Sequence, residues 1–316
     1  MMNISVEYKD TAGVISNQIH KLSRLAFTKH LAIAGQGYAP GPRKLFRALG
    51  MFLHYSYYLQ VPEFNNDRLS EPPEGLSDPT EKGQFSNLAG KAIADFLSKR
   101  IDQSLYTVNY EAAMRLQRMP LSLGGKQVSR PDLLAFAPKA MFAIEAKGFS
   151  GGCGNMTEHK DQSMEGGIPV NYTIASVAYD LYRKIKCKYH DPFNDNVQFN
   201  NQLLSGLTRN YYKSLSGFLD QKLFSYREVT FQSEQFYEVE LLDRNFEKMF
   251  RGRFPFSHFL YDEIFDFYRP RLILPKNIRA YAEAGITNEI RPFLFDEKEQ
   301  PENIYIDNDR IGLRIR

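Results

Sequence analysis

Arg130-Pro131-Asp132-Leu133-Leu134-Ala135-Phe136 runs through Ala137-Pro138-Lys139-Ala140 into Met141-Phe142-Ala143-Ile144-Glu145-Ala146-Lys147-Gly148, and the reading of this stretch decides the fold. Both flanks are short and apolar, as strands are. Pro138 suits the first central position of a β-turn. A turn centred between Pro138 and Lys139 places Asp132 opposite Glu145, with Cβ atoms roughly 4.5–5.5 Å apart. Lys147, two residues beyond Glu145, projects from the same face. Two carboxylates opposed across a hairpin repel each other and call for a compensating cation. A divalent metal meets that need better than a lysine alone. Mg²⁺ takes oxygen ligands, commonly one or two carboxylates with substrate phosphate completing the shell.

Outward from the hairpin, Ser86 is read as the N-cap of a helix to about Arg100, with Leu88, Ala92, Ile93, Phe96 and Leu97 on one face. A strand is expected at 104–110. The segment 113–136 reads as a further strand, a Gly124-Gly125 turn and the strand entering Pro131-Asp132. Residues 148–169 are glycine-rich, with one short helical turn. Residues 171–189 carry Ile174, Val177, Ala178, Leu181, Tyr182 and Ile185 at the helical period, with Arg183, Lys184, Lys186 and Lys188 on the opposite face. Helix, three strands and helix make an α/β core.

Pro131-Asp132, twelve intervening residues, then Glu145-Ala146-Lys147 resembles the motif of the PD-(D/E)XK nuclease superfamily, which includes restriction endonucleases and DNA-repair nucleases. The resemblance covers about a third of the chain. It implies a restriction-endonuclease-like core, a mixed central sheet flanked by helices. It also implies catalytic roles for Asp132, Glu145 and Lys147, with a metal held by Asp132, Glu145 and the Ala146 carbonyl. Mg²⁺ is the expected cofactor, Mn²⁺ its substitute, and DNA the substrate. Many members carry an extra acid before the first core strand, for which Asp95 and Glu111 are the candidates. Arg130, Lys160, Arg183, Lys184, Lys186 and Lys188 are candidate nucleic-acid contacts, a solvated surface being the alternative for each.

The rest of the chain is less informative. Residues 14–34 read as a helix bearing Ile15, Ile19, Leu22 and Ala26, and Arg43 to about Leu59 as a second. Positions 1–47 hold seven Lys or Arg against Glu7 and Asp10. The Pro- and Asn-rich 61–83 stretch is expected to be a domain joint. The expected domains are a helical N-terminal region with linker (1–80), the nuclease core (81–242) and an α+β extension (243–316). A strand is expected at 228–241, and the extension should contain an aromatic-rich helix at 255–268 and a hairpin over Ile304–Ile315. A helix is expected near 199–223.

With 316 residues, 43% hydrophobic content and a net charge of +3, the composition is that of an ordinary folded protein that permits but does not demand a nucleic-acid partner. Cys153 and Cys187 are too few for a disulfide framework or zinc site. No stretch reads as a secretory signal or membrane span, so a cytoplasmic protein is expected. The function expected is Mg²⁺-dependent DNA endonuclease in restriction or phage defence, with a homodimer left open. The rivals are a DNA repair or recombination nuclease, and a catalytically silent nucleic-acid-binding protein of the same fold.

Overall fold

The computed structural model describes residues 1–10, 12–35, 56–59, 61–71, 79–138, 140–194, 201–220, 224–240, 270–285, 292–293 and 303–315. It is a mixed α/β protein of two compact units, Met1–Leu207 and Thr208–Arg316. The boundaries expected at 61–83 and after 242 give way to this single division. Among the described residues no helix is long and apolar enough to cross a membrane.

In the first unit the strands are β1 (Met2–Lys9), β2 (Ile15–Leu22), β3 (Tyr106–Asn109), β4 (Ser122–Leu123), β5 (Lys126–Gln127), β6 (Leu133–Ala137), β7 (Ala140–Gly148), β8 (Tyr172–Tyr179) and β9 (Lys186–Asn194). Its helices are α1 (Arg24–Ile33), α2 (Val61–Asn65), α3 (Pro79–Ile101), α4 (Tyr110–Leu116) and α5 (Met156–Ser163). Seven strands form one mixed sheet in the order β2-β1-β9-β8-β7-β6-β3. The decisive hairpin is β6–β7, with Leu133 opposite Ile144 and Ala137 opposite Ala140, the register the Pro138 turn predicts. β7 then pairs in parallel with β8, and α5 makes the crossover between them.

Alternation separates the two faces of β7. Ideal Cβ atoms at Gly90 on α3 and Gly148 on β7 would come within 2.4 Å of Gly148 N and 1.8 Å of Ser86 O respectively. Only glycine permits this approach, so α3 packs on the Gly148 side. On the other side Ser163 of α5 donates to Thr173 Oγ1 at 3.1 Å, and Thr173 pairs with Ala143, of the same parity as Glu145 and Lys147. The sheet is therefore layered between α3 and α5, and Glu145 and Lys147 face α5.

Four sequence expectations about the elements of this unit are corrected. The helix over 171–189 is the β8–β9 antiparallel pair. β8 lies between β7 and β9, and Thr173 through Ala178 are all buried; such a run carries no strand alternation and mimics a helix. Its turn rests on Asp180 at φ 55 rather than on glycine or proline, and so gave no breaker signal. The N-terminal region is not helical at its start: β1 and β2 join the central sheet, and Ile15 and Ile19 are exposed on edge strand β2, so their spacing marks no core stripe. Ser86 is not an N-cap, because α3 begins at Pro79 and the Ser86 hydroxyl donates to Lys82 O at 2.7 Å. The strand expected from residue 113 is instead α4, capped by Asn109, which accepts from Ala112 N; the Gly124-Gly125 turn follows between β4 and β5.

The second unit holds a five-stranded antiparallel sheet of β10 (Ser225–Phe231), β11 (Glu234–Glu240), β12 (Arg271–Pro275), β13 (Ile304–Ile306) and β14 (Gly312–Arg314), ordered β10-β11-β12-β14-β13. α6 (Asn201–Ser216) fits the expected 199–223 helix, and α7 (Ile278–Ala284) follows β12. Phe236, Ile273, Phe293, Ile304 and Ile306 form its core. The closing hairpin fits this sheet, whereas the single strand expected at 228–241 is the antiparallel pair β10 and β11, turning at Gln232-Ser233, both at positive φ without a glycine to signal it. The 255–268 helix and most of the helix expected from Arg43 to Leu59 lie outside the described residues; Ser56–Leu59 form a 3₁₀ turn.

Candidate active site

Asp132 stands one residue before β6, where the sheet opens. Its N–H donates to Ile144 O at 3.1 Å, and its Oδ2 accepts from Ala146 N at 3.3 Å. The side chain thus takes over where the ladder ends. In an extended strand the N–H and C=O of one residue point to the same neighbour, so the Ala146 carbonyl faces the Asp132 side as well. Pro131, next along, has no N–H to offer it. The proline of the motif leaves that carbonyl available.

Glu145 is completely buried, at 0% exposure. Lys147 Nζ lies 2.6 Å from Glu145 Oε1 and 3.9 Å from Asp132 Oδ2. Although the lysine supplies a counter-charge, neither Glu145 oxygen receives a well-directed hydrogen bond. Burial first, then the charge of Asp132, pushes the Glu145 carboxyl up to about 7, while Lys147 and Lys91 pull it down. Conversely the two carboxylates raise the Lys147 ammonium, overcoming the loss of solvent around it. A buried carboxylate beside a second carboxylate and an available carbonyl, with one lysine between the two acids, is a donor set that fits a hard cation. Among the described residues no group of three or more His, Cys, Asp or Glu side chains could hold a metal. The fit is therefore to an oxygen-ligated ion completed by water or substrate, not to a protein cage.

Lys91, on α3, was not singled out in the sequence. Its Nζ lies 2.7 Å from Asp132 Oδ1. The Gly90–Gly148 approach is what brings this lysine to the end of β6. A glycine in a helix interior costs about 1 kcal/mol relative to alanine and is the one signal that could have marked the contact. Lys91 and Asp132 line an open polar cleft of about 510 Å³, together with Glu111, Arg130 and Gln162.

The remaining candidates separate. Glu111 sits in this cleft, paired with Arg115 at 2.6 Å and with Arg130. Asp95 does not join the site in the contacts it makes: it is buried between α1 and α3, bonded to His30 Nδ1 at 2.6 Å and to Thr107 Oγ1 at 2.7 Å, with Lys99 at 3.4 Å. Burial would raise its carboxyl, but Lys99 and His30 hold it well below the usual carboxylate range. Arg183 and Lys184 are exposed in the β8–β9 turn, not on a helix. Lys186 and Lys188 are on β9, near Asp180 at 3.2 Å and Glu7 at 3.7 Å. Lys160 is on α5, over the Glu145 face.

Comparison with family models, curated proteins and solved structures finds no match to this chain.

Proposed function

We propose that this chain is a Mg²⁺-dependent nuclease that hydrolyses phosphodiester bonds in DNA. One observation carries the reading: Glu145, completely buried, shares the Lys147 ammonium with Asp132 at the open end of the β6–β7 hairpin, 2.6 Å from Glu145 Oε1 and 3.9 Å from Asp132 Oδ2. The mixed sheet layered between α3 and α5 also fits the sheet flanked by helices that the PD-(D/E)XK resemblance implies. Asp132, Glu145 and the Ala146 carbonyl would hold the ion, with Mn²⁺ able to replace Mg²⁺. When bound there, such an ion polarises the phosphodiester and lowers the pKa of water. Lys147 orients the attacking water and offsets charge that develops on the phosphate. Its raised pKa keeps it a cation throughout the neutral range. Lys91 supplies a second positive charge at the mouth of the site. The assignment to restriction or phage defence rests on the resemblance alone.

A second reading has its own support. Lys91 and Lys147 already lie against the two carboxylates, as they would in a catalytically silent nucleic-acid-binding protein. Incubation with supercoiled plasmid, single-stranded DNA and RNA, each with Mg²⁺ or EDTA, separates the two. Nicking that requires Mg²⁺ and disappears in Asp132→Ala supports the enzyme. Retention of DNA by a protein that never cuts it supports the silent alternative.

A further inference from the structure

The sheet face that carries the site continues beyond it. Glu145 is in register with Ala175, Ala175 with His190, and His190 with Lys9. Two residues along, Lys147 is in register with Val177, Val177 with Lys188, and Lys188 with Glu7. Register partners project to one face, so Lys9 and Lys188 share the face of Glu145 and Lys147. Lys160, reaching from α5, joins them. Burial first, then the charges of Lys9 and Lys188, hold its ammonium below the ordinary value, while Glu7 pulls it up.

Three lysines thus crowd around one carboxylate. Glu7 is already shared by Lys188 at 3.7 Å and by His190 Nε2 at 2.9 Å. Among the described residues neither Lys9 nor Lys160 makes an ion pair. Crowded cations without matching acids raise the energy of the unliganded protein, and a polyanion laid over them recovers it.

Resting on the nuclease reading, we infer that Lys188, Lys160 and Lys9 form a phosphate track that leads the nucleic-acid backbone away from Lys147, past α5 and toward β9 and β1. At a strand spacing of roughly 4.8 Å, Lys188 stands about 10 Å and Lys9 about 14 Å from the β7 row. The longer span matches about four nucleotide steps at the roughly 3.4 Å axial rise of one duplex strand. The exposed Arg183 and Lys184 lie in the turn before β9 and outside these rows.

The test is binding of a labelled DNA duplex in EDTA, where no cleavage occurs, over a range of NaCl concentrations. Lys9→Ala/Lys160→Ala/Lys188→Ala should bind more weakly and lower the log–log salt slope by about 2–3, near 0.9 per lost phosphate contact. Lys9→Ala/Lys160→Ala, which keeps the Lys188–Glu7 pair, should lower it by about 1–2 and guards against misfolding of the triple variant. Arg183→Ala/Lys184→Ala should leave the slope as it is. An unchanged slope in the triple variant overturns the track, as does an equal loss in the turn variant. A Mg²⁺-dependent nuclease with a lysine-insensitive slope loses the track and keeps its activity. A protein that never cuts, yet whose slope depends on these lysines, keeps the track and loses the hydrolytic role.

Discussion

Lys91 Nζ and Asp132 Oδ1 are 2.7 Å apart, so a helix lysine occupies one oxygen of the carboxylate that the hairpin presents at the end of β6. Both residues line the open cleft, where an incoming cation would have to compete with the ammonium.

Replacement of Lys91 by Met should therefore tighten Mg²⁺ binding in the absence of DNA. Like charges repel, and a partly exposed ion pair returns only about 0–1 kcal/mol when broken. The expected gain in affinity is a few-fold, read by titration calorimetry. An unchanged or weaker affinity would make Lys91 a bystander or a support of the metal site.

Asp132→Asn should abolish cleavage with little change in stability. The substitution relieves repulsion of Glu145, but it also deprives Lys91 and Lys147 of their shared partner. The two effects oppose each other, and the amide oxygen can still accept from Ala146 N. We expect an unfolding free energy within about 1 kcal/mol of the native protein. A much larger loss, with cleavage unaffected by metal, would reduce Asp132 to a structural strand cap.

The β6–β7 hairpin was legible because its signals are local: a proline turn, two apolar runs, and side chains whose faces follow from a period of two. Asp132, Glu145 and Lys147 come together through that register. β8 was not legible, because a central strand covered on both faces loses its alternation and Ile174, Val177 and Ala178 then fit a helix equally well. β1 and β2 were missed because edge strand β2 carries Ile15 and Ile19 toward solvent, the reverse of what periodicity assumes. Lys91 and the Lys9–Lys160–Lys188 cluster depend on contacts between residues far apart in the chain, which spacing does not encode. Asp95, credible as an acid on the right helix, turns instead to His30 on α1, a partner that no local pattern reveals.

Asp102 gives the fold a pH dependence separate from the site. Burial pushes its carboxyl up to about 6, although Tyr189 and Tyr172 donate to it at 2.5 and 3.2 Å and draw it down. The folded state consequently keeps a proton that the unfolded chain releases near the ordinary carboxylate value of 3.8. This contribution favours folding fully below that value and is lost as pH rises through about 6. Asp102→Asn keeps an acceptor and cannot ionise. Its melting temperature should gain on that of the native protein between pH 4 and pH 6.5, by several degrees at roughly 2–4 °C per kcal/mol. Parallel melting profiles across that range would place Asp102 in contact with water.

Glu145 and Lys147 should fail in different ways. Glu145→Gln removes a buried charge that desolvation and Asp132 disfavour and Lys147 only partly offsets, so the metal-free variant should melt higher than the native protein at neutral pH. It should also lose the stabilisation that Mg²⁺ confers, because stabilisation by a ligand requires binding to the folded state. Cleavage and metal affinity then fall together. Lys147→Ala removes no metal donor. It should keep Mg²⁺ and DNA binding close to native while slowing a single turnover about a hundred- to a thousand-fold, the usual cost of losing one preorganised electrostatic contact. Loss of Lys147 also leaves Glu145 facing Asp132 with less counter-charge, so the metal-free variant should melt lower, opposite in sign to Glu145→Gln. Paired melting curves with and without Mg²⁺, beside single-turnover rates, read all four quantities. A Lys147→Ala protein that cleaves at the native rate would take the lysine out of the chemistry. Equal melting shifts in both variants would show that the two side chains are not electrostatic partners.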